Sequence, residues 1–180
     1  MATYLSILRG INVSGQKMIK MADLKALYEA MGFKNITTYI QSGNVIFESK
    51  NHKNMAAAIE QKIKEQYGFD VPVIIRNIDE IKAVIEQNPF LKDKKTEPDK
   101  LHVTYLSDVP TEEAVTKAMN YDYTPDSFVI KGKEVYVYCP NGYGNTKLNN
   151  TFFENKLKVK ATTRNWKTTN KLFDILISNS

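Results

Sequence analysis

The stretch Thr37-Thr38-Tyr39-Ile40-Gln41-Ser42-Gly43-Asn44-Val45-Ile46-Phe47-Glu48-Ser49 sets β-branched and aromatic residues on both sides of a Ser42-Gly43 break. Such residues favour strands, and a central glycine accepts the positive φ that tight hairpin turns require. The reading is a pair of antiparallel strands over residues 36–40 and 44–48, with Gln41, Ser42 and Asn44 on a polar tip.

Toward the N-terminus, residues 4–8 form a short apolar run that suits a central strand covered on at least one face. Arg9-Gly10-Ile11-Asn12-Val13-Ser14-Gly15 then breaks the run into a loop, which residues 16–20 prolong. A helix is predicted over 21–31, with Leu24, Leu27, Tyr28 and Met31 on one stripe and Gly32 placed to stop it. Beyond the hairpin a second helix, 53–67, repeats Ile59, Ile63 and Tyr67 at four-residue spacing before Gly68, and 71–76 reads as a strand. The order β-α-β-β-α-β is that of a ferredoxin-like sandwich.

Asp79 caps a short helix to about residue 87, and 88–100, charged and carrying Pro89 and Pro98, reads as a linker. The second half repeats the plan. A strand at 101–106 precedes a helix at 111–119 that opens with Glu112 and Glu113, where the macrodipole favours acids. A hairpin of 128–130 and 134–138 turns at Gly132. A glycine-containing loop at 141–145 and helices at 146–157 and 165–177 follow, the last with Trp166, Phe173, Leu176 and Ile177 inward. The halves match in element order, with no residue-level repeat seen. The expected fold class is α+β: two ferredoxin-like subdomains, antiparallel or mixed sheets, and helices packed on one face. The first is placed at 1–78, the helix and linker at 79–100, and the second, with an extra C-terminal helix, at 101–180.

With 180 residues, 42% of them hydrophobic and 11% aromatic, the chain buries a normal core, which excludes disorder. A single cysteine, Cys139, excludes an intramolecular disulfide. Met1-Ala2-Thr3-Tyr4-Leu5 lacks the basic region and apolar block of a secretory signal, and no apolar run approaches the roughly 20 residues a membrane span needs. The expectation is a cytoplasmic protein that does not enter membranes. A net charge of +5 and a pI near 9.1 fit either an anionic partner or a solvated basic surface, and lysines spread along the whole chain favour the second. Arginine is more telling, because only Arg9, Arg76 and Arg164 occur. A planar fork that holds an oxyanion bidentately is not replaceable by lysine.

Arg9-Gly10-Ile11-Asn12-Val13, Met21-Ala22-Asp23-Leu24, Thr38-Tyr39-Ile40-Gln41-Ser42-Gly43-Asn44-Val45, Asn88-Pro89-Phe90 and Thr162-Thr163-Arg164-Asn165-Trp166 follow one another in one order. The series closely resembles the bacterial DUF1697 family, over essentially the whole chain. The resemblance implies two ferredoxin-like subdomains in one compact unit and no assigned activity. Family members favour a Ser before the lysine of the 141–147 loop, where this chain has Thr146 and keeps the hydroxyl.

In a ferredoxin-like sheet the first and third strands are antiparallel neighbours, so Arg9 and Asn12 are expected beside Gln41, Ser42 and Asn44. One guanidinium, several amides, a hydroxyl and approachable backbone N–H groups suit an oxyanion or a planar polar ligand. Against this stands the plainer reading that Asn12 and Asn44 bond loop backbone and the glycines merely turn the chain. Arg164 and Asn165, at an expected helix start, add a second anion-binding candidate, with an ordinary N-cap as its alternative. Asn141-Gly142-Tyr143-Gly144-Asn145-Thr146-Lys147 lacks Walker spacing and reads as a strand-to-helix turn. His52 and His102 stand far apart with only Cys139 available, so no metal site is expected, and no cofactor motif occurs. Tyr4, Tyr39, Tyr105, Tyr136 and Tyr138 fall on predicted strands, where ferredoxin-like sheets can stack bases, but the RNA-recognition signature is missing. Three functions stay open: binding of a small anionic ligand, phosphorylated ones included; a nucleic-acid-binding module; and an enzyme of unassigned reaction class. Oligomeric state is left undetermined.

Overall fold

The computed structural model describes residues 1–180. The chain forms β1 (Ala2–Leu8), α1 (Met21–Ala30), β2 (Lys34–Tyr39), β3 (Asn44–Ser49), α2 (Met55–Tyr67), β4 (Val73–Asn77) and α3 (Ile78–Glu86). It continues with β5 (Leu101–Leu106), α4 (Glu112–Met119), β6 (Ser127–Lys131), β7 (Glu134–Tyr138), α5 (Asn150–Leu157), β8 (Ala161–Asn165) and α6 (Trp166–Ser178). Between α3 and β5 lie two 3-10 turns, Pro89–Lys92 and Pro98–Lys100. The strands make two four-stranded sheets of order β2-β3-β1-β4 and β6-β7-β5-β8, antiparallel at every pairing. This is the expected ferredoxin-like α+β architecture, realised twice and without mixed pairing.

Two compact units result, one of Met1–Lys82 with Lys171–Ser180 and one of Ala83–Asn170. In the first, Leu8, Val45, Phe47 and Val73 of the sheet meet Leu24, Leu27 and Tyr28 of α1 and Ile59 and Ile63 of α2. The Phe47 ring lies 4.5 Å from Phe33, 5.5 Å from Tyr28 and 5.9 Å from Tyr4, close enough for favourable tilted and edge contacts. Alternation along β1 aims Leu5 and Ile7 at the opposite face, and both are fully buried, so β1 is covered on both faces. Tyr28 is enclosed in this core. Its hydroxyl shares a 2.7 Å hydrogen bond with Ser6, while burial pushes the phenol pKa well above its ordinary value. In the second unit, Leu106, Phe128, Val135 and Val137 pack with Ala114 and Ala118 of α4 and with Phe153 and Leu157 of α5.

The structure corrects three sequence expectations, the first being the cap of α3, which is Asn77 and not Asp79, a residue already inside the helix. The expected helix at 165–177 is realised as Trp166–Ser178, but the residues just before it hold a strand that was not expected: Ala161–Asn165 pairs with β5 as the fourth strand of its sheet. The segment carries no apolar alternation, yet Thr162 and Thr163 bring the β-branching that strands favour. Helix α5 starts at Asn150 rather than 146. Asn149 is its N-cap, accepting from the Phe152 N–H at 2.9 Å, and Thr146 instead donates to Asp126 at 2.6 Å.

A residue-level repeat, unseen in the sequence reading, emerges from strand register. Arg76-Asn77 ends β4 and Arg164-Asn165 ends β8, and each pair runs directly into a helix. Arg76 lies opposite Leu5 and Asn77 opposite Tyr4; Arg164 lies opposite Val103 and Asn165 opposite His102. Both guanidinium groups are buried, and each donates from Nη1 to the carbonyl of the preceding residue, at 3.0 Å to Ile75 and 2.9 Å to Thr163. Both asparagines are helix caps. Asn77 Oδ1 accepts from Glu80 N–H at 2.8 Å and Asn165 Oδ1 from Thr168 N–H at 2.7 Å. Glu80 returns a bond to Asn77 N–H at 2.8 Å, completing a capping box. Asn165→Ala and Asn77→Ala are each expected to cost about 1 kcal/mol, seen as a lower urea midpoint at unchanged slope.

Candidate functional site

The antiparallel register of β1 and β3 places Ile7 opposite Asn44, and Leu8 N–H donates to Gly43 O at 2.9 Å. The loop that leaves β1 therefore starts against the hairpin tip. Arg9 N–H bonds Pro72 O at 3.0 Å, which ties the same point to the segment entering β4. Asn12 then joins loop to tip. Its Nδ2 donates to Ile19 O at 2.9 Å and to Gln41 O at 2.8 Å, and its Oδ1 accepts from Ile19 N–H at 2.8 Å. Asn44, fully buried, donates from Nδ2 to Tyr39 O at 2.9 Å and to Ser42 Oγ at 3.1 Å, closing the turn from within.

Close packing completes the corner. Gly43 has φ +90, and a Cβ there would lie 2.7 Å from Ile11 Cδ1 and 3.0 Å from Leu8 Cβ. Only glycine meets both demands. The backbone is unusual across both segments: Gly10, Asn12, Ser14, Gly15 and Lys17 all have positive φ, as do Ile40 and Gly43 at the tip. For Ile40, a β-branched residue, φ +53 is a strained conformation that only its surroundings can impose.

Arg9, Asn12, Gln41, Ser42 and Asn44 are thus brought together in the first unit, and Arg164 and Asn165 lie in the second. Asn12 and Asn44 spend their amides on the loop and the turn, so their role is to position. Arg164 is buried in β8, donating to Thr162 Oγ1 at 3.0 Å and to Thr163 O. Burial pulls its pKa down to about 10, opposed by Tyr105 and Tyr143 nearby. Asn165 fills the N-terminal cap of α6 with its own side chain. Arg76 is the counterpart of Arg164, and the sequence marks both by an Arg-Asn pair immediately before a helix pattern.

Other candidates take ordinary structural places. Tyr105 is buried with its hydroxyl 3.1 Å from Thr169 Oγ1, and Tyr136 is buried donating to Val84 O at 3.0 Å. Neither presents a ring face for base stacking. Tyr138 packs against Phe90, and His102 stacks on Tyr143 at 4.5 Å, burial lowering its pKa. Cys139 is buried and its thiol pKa raised by that burial, the opposite of an activated nucleophile. No group of three or more His, Cys, Asp or Glu side chains converges as metal ligands would. No helix is long and apolar enough to cross a membrane.

Residues 1–136 match the family described as "Protein of unknown function (DUF1697)". The chain belongs to the DUF1697 family. Among solved structures it is similar to the conserved bacterial protein SP0830 from Streptococcus pneumoniae, with a TM-score of 0.73 at 20% identity, covering 97% of this chain and 98% of that one. At that identity the likeness speaks for the fold. No curated protein matches. Within this DUF1697 chain the Arg9–Asn12 loop and the Gln41–Asn44 tip both fall inside the matched residues, while β8 with Arg164 falls beyond them.

Proposed function

We propose that this DUF1697 member is a cytoplasmic protein that binds a small anionic, phosphate-like ligand at the corner of Arg9, Asn12, Gln41, Ser42 and Asn44. The observation that carries the reading is the run of positive-φ residues around Arg9, held against the hairpin tip by Asn12. Backbone that alternates handedness turns successive N–H groups toward a common side, forming anion-binding concavities. Arg9, the first residue of that loop, brings the charge and planar fork that such a ligand takes. Asn12 and Asn44 set the shape, and Gly43 lets the two segments touch. A reducing cytoplasm suits a chain with one buried cysteine. The nucleic-acid reading has less support, since two of its five strand tyrosines are buried in bonded positions. An enzymatic role would need a base to activate the Ser42 hydroxyl, and the corner residues Arg9, Asn12, Gln41 and Asn44 supply none.

The test is thermal unfolding with orthophosphate, pyrophosphate and AMP. A ligand at a hundredfold excess over its Kd is expected to stabilise by about 2.7 kcal/mol, or roughly 5–10 °C in Tm. Arg9→Lys keeps the charge and removes the fork, so it is expected to abolish most of that rise while the ligand-free protein melts as before. If none of the three anions moves the Tm, the reading fails.

A further inference from the structure

At the other end of β1 and β3, where Ala2 pairs with Ser49, the first unit has a second concavity. Six residues of strand separate it from the Arg9 corner, roughly 20 Å at the rise of an extended chain. The cleft has a volume of about 540 Å³, within the usual range for small-molecule sites. Its apolar lining comes from three places in the chain: Met1 before β1, Met31 and Phe33 after α1, and Met55 and Ala58 in the first turn of α2. Met55 is buried and Phe33 half-buried, its ring held 4.5 Å from Phe47 in the core. The wall is therefore fixed on one side and lined by adaptable thioethers on the other.

The rim differs in chemistry. Lys34, Lys50 and Lys53 line it, all exposed, and no carboxylate does. None of the three is in an ion pair, whereas Lys62, Lys64 and Lys117 each have an acidic partner. The segment bearing two of them is pinned, because Ser49 Oγ donates to Asn51 O at 2.7 Å and Asn51 Oδ1 accepts from Lys53 N–H at 3.0 Å. Three cations without an ion pair at the mouth of an apolar cleft, only Lys34 of them facing an acid, Glu48, across the strand pair, make a field that favours one negative charge there. We propose that this cleft binds a small amphipathic carboxylate, a fatty acid in free form, with its chain along Met31, Phe33 and Met55 and its head group among Lys34, Lys50 and Lys53.

The experiment follows the methionine methyl resonances of the full chain by NMR during titration with dodecanoate below its micellar concentration. Saturable shifts at Met31 and Met55 are expected, with dodecanol binding more weakly. The exposed triple variant Lys34→Gln, Lys50→Gln, Lys53→Gln is expected to bind dodecanoate about tenfold more weakly, three modest surface attractions together. Arg9→Lys is expected to leave this titration unchanged, which separates it from the corner proposed above. Absence of shifts at the two methyl groups overturns the proposal. So does equal affinity of the triple variant, equal affinity for dodecanol, or binding to anionic phospholipid vesicles without binding of free dodecanoate.

Discussion

Gly43→Ala is expected to destabilise the protein by about 2–4 kcal/mol, the sum of a left-handed backbone strain of roughly 1 kcal/mol and an overpacking cost of roughly 1–3 kcal/mol. The overpacking has a named source. An alanine methyl at this position would sit 2.7 Å from Ile11 Cδ1 and 3.0 Å from Leu8 Cβ, in a buried contact between the Arg9 loop and the hairpin tip. Ile11 is itself 1% exposed and Leu8 fully buried, so neither can swing into solvent to make room. Gly10→Ala serves as the control. Its φ of +75 carries the same kind of strain, but nothing lies within 4 Å of the added carbon. It is therefore expected to cost only about 1 kcal/mol. Urea denaturation of the two variants measures the difference, which is the energetic worth of the close approach. Equal losses would show that the loop does not press on the tip.

The second large effect is expected at Asn12. Asn12→Ala removes three hydrogen bonds at once, two of them to Ile19, which is 2% exposed and whose N–H and C=O then lack that partner. It also places a Cβ-bearing residue without a compensating side-chain bond at φ +57. The combined cost is expected to be about 2–4 kcal/mol. Asn12→Gly separates the two terms, since glycine accepts the backbone and loses the bonds alike, and it is expected to recover about 1 kcal/mol relative to alanine. Anion-dependent stabilisation is expected to fall in both variants even where they remain folded, because the loop is no longer held to the tip. Retention of the full ligand-induced rise in Asn12→Gly would place the binding determinants elsewhere.

The repeat of Arg-Asn at the ends of β4 and β8 gives the two units a common joint. In each, a buried guanidinium bonds its own strand and the following asparagine starts a helix with no intervening loop. Such a joint fixes the direction of the helix by the direction of the strand. It also accounts for two of the three arginines in a chain that otherwise uses lysine, leaving Arg9 as the one set in a loop.

Much of this was legible in the linear chain because it depends on local rules. Period-2 and period-3.6 patterns placed β1, the 36–48 hairpin, α1 and α2, and the order of those elements implied the pairing of β1 with β3. That pairing in turn put Arg9 and Asn12 beside Ser42 and Asn44. The β8 strand escaped because Ala161-Thr162-Thr163-Arg164-Asn165 buries polar side chains, and burial of Thr162 and Arg164 is conferred by the sheet rather than by their own hydropathy. Likewise no local rule reveals that Asn12 reaches Gln41 across 29 positions, that Ile40 is held at positive φ, or that Gly43 is required by contact with Ile11 as well as by its turn. Those facts arise only when strands have paired and their loops compete for the same space. Sequence determined which residues meet; tertiary structure decided which of them are spent on holding the meeting place together.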